Sequence, residues 1–284
     1  MDSSSMFTVT PMSQRITLEA GETHEGYIIV ANPANATEDF HYKVEVSAYN
    51  VMGEEYHADF LTETERSQIV KWITIENPKG VLAPNESVKV HYTVNVPVMA
   101  PAGGQYAAFM VSSDASKATG NGISVNNIFE MASILYAKID GEIIREGEIL
   151  GGNVPGFVTS TPITVSATVK NDGNVHEAAR MALEVRSYFS AGPIYPKPGE
   201  DGIIEEIIMP GTTRSIVRDI DGISPLGVYD VLQTVSYMGK SETTHQVVVA
   251  CPIWFMTLVL VTMVAIVMFI VFSVKRHHHR KQVF

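Results

Sequence analysis

The sequence predicts an all-β protein, two tandem β-sandwiches followed by one transmembrane α-helix. Three observations lead there: apolar and polar residues alternate through much of the first 250 positions, a set of turn motifs recurs in the same order in both halves, and one uninterrupted apolar stretch lies near the C-terminus.

The alternation is clearest in three places. In HYKVEVSA, Tyr42, Val44, Val46 and Ala48 fall on one face and His41, Lys43, Glu45 and Ser47 on the other. VKVHYTVNV places Val88, Val90, Tyr92, Val94 and Val96 together, and ITVSATVK does the same with Ile163, Val165, Ala167 and Val169. A period of two with one apolar face reads as antiparallel strands that cover a core on one side and meet water on the other. The stretch DFLTETERSQIVKWI breaks the pattern and leaves room for one short helix or turn before Trp72.

The recurring motifs divide the chain. VANPANA, with Asn32, parallels VKNDGNV, with Asn171, and the Pro-led turn of LAPNESVKVHYTV parallels that of IMPGTTRSIVRDI. APAGGQYAAFMV parallels SPLGVYDVLQTV, which aligns Tyr106 with Tyr229. Two domains are therefore expected at 1–149 and 150–250, the first lengthened by an insertion in the 50s to 70s and a Gly/Ser-rich loop, with EGEILGGNVPGF as the linker. Asn32, Gly103, Tyr106, Asn171, Gly227 and Tyr229 are read as structural corners and turns. Each tyrosine is expected to bond back to its own corner, as in sandwich tyrosine corners.

Residues 253–274 contain no charge, glycine or proline and would form a helix of roughly 33 Å, enough for a bilayer core of about 30 Å. Lys275, Arg276, Arg280 and Lys281 follow at once, which orients a basic tail, 275–284, to the cytoplasm and the N-terminal portion outside. A tail-anchored protein with a cytosolic body would instead send those four residues across the membrane. The opening MDSSSMFTVTP has neither a basic nor an apolar leader segment, so export predicts a signal peptide missing from this sequence. All 31 acidic residues precede the span and four of the 20 basic ones follow it, which leaves 16 against 31, a formal charge of −15. Such a surface repels nucleic acid and other polyanions. The lone cysteine, Cys251, stands at the membrane boundary and excludes an intrachain disulfide.

Candidate chemistry is sparse. A phosphate cradle needs a Gly-rich turn opening a helix, but Gly103 and Gly104 lead into an apolar, strand-like run with no lysine in the loop. HEAAR at His176 has Arg180 where a zinc protease motif needs its second histidine. NDGN, from Asn171 to Asn174, lacks the acidic ligands of a calcium site and reads as a tight turn, and His277, His278 and His279 read as part of a solvated tail. No catalytic, metal-binding or cofactor-binding residue is assigned, and no cofactor is expected. The rival enzyme reading places a wall hydrolase in the insertion, on Glu54, Glu55, Asp59, Glu63 and Glu65, with Trp72 stacking on a sugar.

Three stretches, VPVMAPAGGQYAAFMV, VKNDGNVHEAARMALEV and SPLGVYDVLQTVSYMG ahead of VVVACPIWF, resemble bacterial WxL-interacting cell-surface proteins. The resemblance implies two immunoglobulin-like domains on a single C-terminal anchor, exposed at the plasma membrane of a bacterial cell. It also implies binding of peptidoglycan or of a partner surface protein, with no residue-level motif to carry over. The expected function is a non-enzymatic surface binding or scaffold protein, the alternative a membrane-tethered extracytoplasmic chaperone or accessory subunit.

Overall fold

The computed structural model describes residues 7–113, 129–190 and 192–281, with side chains through residue 273. Most of the Gly/Ser-rich loop, residues 114–128, lies outside the described residues, as do the side chains of Lys275, Arg276, Arg280 and Lys281. The chain divides into two compact units. One gathers residues 1–148 with the segments 170–177 and 207–214, and the other gathers 149–169, 178–206 and 215–284.

The first unit's strands are β1 (Thr8–Thr10), β2 (Ser13–Leu18), β3 (Thr23–Ala31), β4 (Phe40–Ala48), β5 (Asn50–Met52), β6 (His57–Asp59), β7 (Ile73–Ile75), β8 (Lys79–Leu82), β9 (Ser87–Asn95), β10 (Gly103–Ser113) and β11 (Glu130–Ile139). They form a sheet β1-β3-β9-β7, a second sheet β2-β11-β10-β4-β8 and a β5-β6 hairpin. The alternating residues explain both sheets. Tyr42, Val44, Val90, Tyr92 and Val94 are buried with Phe109, Val111, Leu135 and Ile139 in one core. Phe7 stacks on Phe40 at 4.3 Å between ring centroids, and Tyr92 meets Phe109 with tilted rings at 4.5 Å. The interruption before Trp72 is a 3-10 turn, Gln68–Trp72, whose Ile69 is buried.

The second set comprises β12 (Gly147–Asn153), β13 (Phe157–Val158), β14 (Ile163–Asn171), β15 (Glu177–Ser187), β16 (Pro193–Tyr195), β17 (Ile203–Ile208), β18 (Thr212–Ile220), β19 (Gly227–Tyr237) and β20 (Lys240–Ala250). One sheet runs β12-β14-β18. The other runs β13-β20-β19-β15-β16, with β17 also on β15. Both sets share one device: the chain begins in one sheet, crosses, and lays a short strand parallel to the last strand of the other. Thus β2 pairs parallel with β11, and β13 with β20. With the sheet orders, this is an immunoglobulin-like sandwich layout repeated along the chain.

The expected linker is instead largely strand, since residues 147–153 form β12. Its glycines hide it from a pattern search. A Cβ on Gly152 would overlap the side-chain carbonyl of Gln233, so glycine is what lets the strand approach. After β20 only Cys251 and Pro252 precede α1 (Ile253–Lys281). It is the one helix among the described residues long and apolar enough to cross a membrane, and its apolar window, Ile253–Ser273, has no buried residue. The helix does not end with the apolar stretch near 274; it continues through the basic residues to Lys281, where no proline or glycine breaks it.

Candidate functional site

The two asparagines of the repeated turns occupy matching positions. Asn32 is buried and donates from Nδ2 to the carbonyls of Glu38 and Leu82, both at 3.0 Å. Asn171 is buried and donates to the carbonyls of Val175 and Ile208, both at 2.9 Å, while its Oδ1 accepts the N–H of Gly173 at 2.9 Å. Each amide ties a turn to a distant strand end, which buried backbone carbonyls require.

The tyrosines differ. Tyr229 forms a corner of the expected kind, its hydroxyl donating to the carbonyl of Ser224 at 2.7 Å. Tyr106 does not bond back to its own corner. Its hydroxyl accepts the backbone N–H of His176 at 3.1 Å and stands 3.3 Å from Nδ1 of the same residue. Space is the common element: a Cβ on Gly104 would overlap the Tyr106 hydroxyl, and one on Gly227 would meet that of Tyr229. Gly104, not Gly103, is therefore the counterpart of Gly227. Gly103 has φ +114°, and a Cβ there would strike the Asn174 carbonyl, so this position admits glycine on two counts.

Around Tyr106 the first unit builds a buried aromatic cluster. Tyr106 and Tyr136 meet edge to face at 5.9 Å, and both rings contact His176, at 5.6 and 5.2 Å. Burial pushes both phenols upward and, with Arg15 and Lys138 adding to it, lowers His176 to about 4. The imidazole is thus neutral near pH 7, and Nδ1 can accept the Tyr106 proton. Gln105, buried beside it, donates to the Glu65 carbonyl at 3.0 Å and accepts the N–H of Ile69 at 3.3 Å, which fastens the turn ahead of Trp72. Arg66 donates to the Asn174 carbonyl at 2.9 Å. Gln105 and Arg66 did not stand out in the sequence, and His176 did so only as the first residue of the incomplete zinc motif HEAAR, not as a partner of Tyr106. For Gln105 the signal was a polar residue inside GGQYAAFMV.

The hairpin β5-β6 carries Glu54, Glu55 and Asp59, and the segment after it Glu63 and Glu65. They do not converge. Glu55 pairs with His57 at 3.1 Å and Glu63 with Lys71 at 3.0 Å. The Asp59 carboxylate accepts the N–H groups of Leu61 and Thr62, at 2.9 and 3.2 Å, and bonds to Thr62 hold it below the usual carboxylate range. Trp72 packs against the core. At the hairpin tip Tyr56 has φ +59° and is held there by Thr212 and by the Met209 N–H, which its hydroxyl accepts at 2.9 Å. An open cavity of about 380 Å³ lies beside it in the same unit, lined by Thr64, Glu65, Arg66, Tyr106, Met209 and Thr212 among others. Of its lining groups, the Thr212 hydroxyl donates to the Met209 carbonyl at 2.7 Å, the Thr64 hydroxyl to the Asn50 side chain at 3.0 Å, and Arg66 to the Asn174 carbonyl.

The second unit offers a different kind of feature. β20 pairs with β19 along all its length, from Tyr237↔Lys240 to Gly227↔Ala250, whereas β13 covers only Val249 and Ala250 on the other side. The N–H of Val249 reaches the Gly156 carbonyl at 3.0 Å and that of Cys251 the Val158 carbonyl at 2.9 Å, both away from β19. Antiparallel pairing alternates, so Ser241, Thr243, His245 and Val247 also turn their backbone groups to this side. Along these residues, among those described, no strand pairs with the edge. The Val247 carbonyl is met by the Gln246 side-chain amide at 2.9 Å, and polar side chains line the rest.

No family model and no curated protein matches the chain. Among solved structures it is similar to the class 5 fimbriae chaperone CfaA, at 11% identity over 85% of this chain and 99% of that one, with a TM-score of 0.41. It is similar also to the CsuC–CsuE chaperone–tip subunit pre-assembly complex of Acinetobacter baumannii (15%, 85% and 98%, 0.40) and the SafA pilin–SafB chaperone complex of Salmonella enterica (14%, 86% and 98%, 0.40). At these scores the fold rests on the sheet orders themselves.

Proposed function

We propose that the chain is a non-enzymatic, membrane-anchored accessory protein that binds an extended segment of another protein outside the membrane by adding it as a strand to β20. The observation that carries this is the long edge from Ser241 to Val247, which no strand covers among the described residues. An unpaired edge offers main-chain donors and acceptors at strand spacing, and strand addition uses them with side-chain pockets for selectivity. Its polar, Thr-rich surface keeps the edge soluble until a matching segment arrives.

The apolar α1 and the basic residues that end it support a single span with the sandwiches outside. This reading keeps the partner-binding role implied by the resemblance to WxL-interacting proteins and omits peptidoglycan, for which no described residue speaks. The test uses the full chain in its native membrane, with photoreactive side chains at Thr243 and His245. A protein adduct from both positions that disappears with Ser241→Pro is the expected result. Adducts that persist with this proline in a folded protein, or their absence altogether, would refute strand addition at β20. Resistance of the chain to alkaline extraction, with protease access to the N-terminal portion from outside, tests the anchor separately.

A further inference from the structure

Four segments form the end of the second unit at which β20 finishes. Phe157 and Val158 pair with Val249 and Ala250, and Gly227, which the 221–226 turn leads into, pairs with Ala250. Tyr188, after β15, donates its N–H to the Val228 carbonyl at 3.1 Å. Cys251 and Pro252 complete the set. Through residues 154–162, 188–190, 221–226 and 251–252 the only charged residue is Asp221, in a chain that carries a formal −15 before its span. The large side chains here are turned outward: Phe189 is 81% exposed, Tyr188 63%, Phe157 51% and Leu226 42%.

Single exposed apolar residues need no explanation, but several together on a sparsely charged surface, where Asp221 and the Lys197 that packs against Gly222 are the charges at one turn, do. Connectivity selects the occupant. Four residues span at most about 14 Å, so Val249 cannot lie farther than that from Ile253, the first residue of α1. If α1 crosses a bilayer, this end of the unit is held at headgroup depth. Trp254, 62% exposed in the first turn of α1, belongs to the same level. Aromatic rings with apolar bodies and polar tips concentrate at that depth.

Resting on the anchorage proposed above, we infer that the second unit is seated on the outer leaflet, with Phe157, Tyr188, Phe189 and Leu226 inserted at the boundary between headgroups and acyl chains. The sandwich is then docked on lipid as well as tethered to it. The charge-free segments 154–162, 188–190 and 251–252 suit this, because carboxylates at that level would lose hydration.

The full chain, with Cys251→Ser and a single cysteine placed at Phe189, carries a polarity-sensitive dye and is reconstituted in phosphatidylcholine–phosphatidylglycerol vesicles. A second protein carries the dye at Thr243. Blue-shifted emission and quenching by brominated lipid at 189, with neither at 243, is the expected result. Adding Phe157→Ser should move the 189 emission toward that of water. Water-like emission at 189 in protein that resists alkaline extraction overturns the seat and leaves the anchor standing. An apolar emission untouched by lipid bromines means that protein covers the surface, and overturns the seat equally. Extraction of the chain from vesicles at alkaline pH overturns the anchor and the seat with it.

Discussion

The hydroxyl of Tyr106 closes two contacts with one residue, His176, by accepting its backbone N–H and facing its Nδ1. Tyr106→Phe leaves a part-buried donor and an acceptor without their partner and should cost about 1–3 kcal/mol. Tyr229→Phe removes a donor from the Ser224 carbonyl alone and should cost about 0.5–1.5 kcal/mol. Urea unfolding in detergent micelles, with the two variants beside the parent, gives the comparison. A larger loss for Tyr229→Phe would contradict it.

Acid should weaken the first unit through His176. Burial, then Arg15 and Lys138, lowers its folded value to about 4 from 6.5. The unfolded chain therefore binds a proton below about pH 6.5 that the folded chain refuses until about pH 4. Stability from this group is full above 6.5 and is lost as pH falls through that window, by on the order of 2–3 kcal/mol in total. His176→Asn should flatten the dependence of melting temperature on pH between 4 and 6.5. An unchanged slope would place the acid sensitivity elsewhere.

Asn171 and Asn32 each satisfy two carbonyls. Replacing Asn171 by Asp puts a carboxylate against the carbonyls of Val175 and Ile208 and should cost more than Asn171→Ala, for which about 2–4 kcal/mol is expected. The same order should hold at Asn32 if the two turns are equivalent. Denaturation midpoints of the four variants test it.

Proline distinguishes the two sides of β20. Thr243 turns its N–H to the free edge, so Thr243→Pro should change stability by less than about 1 kcal/mol, whereas Thr244→Pro removes a ladder bond to β19 and should cost about 1–3 kcal/mol. Equal losses would mean that the edge is already paired.

The strands that pack one face on the core were legible because burial writes itself into the sequence at a period of two, as at Val88 to Val96. β12 was not, because its packing against Gln233 demands glycine where a strand pattern shows side chains. Nor was the partner of Tyr106 legible, since the motif around it matches that of Tyr229 and the difference lies in a residue 70 positions away. The β20 edge escaped for another reason. Alternation records which face a residue takes, not whether a neighbouring strand exists to pair with it.

The two residues between β20 and α1 also carry a mechanical meaning. If the proposed function holds, a load on a segment bound along β20 would run down that strand straight into α1, with no slack to take up. The β19-β20 ladder lies across that direction over eleven residues, so its hydrogen bonds would be sheared together and not peeled one at a time. On that proposal, the strand that offers the grip is also the strand that bears the pull.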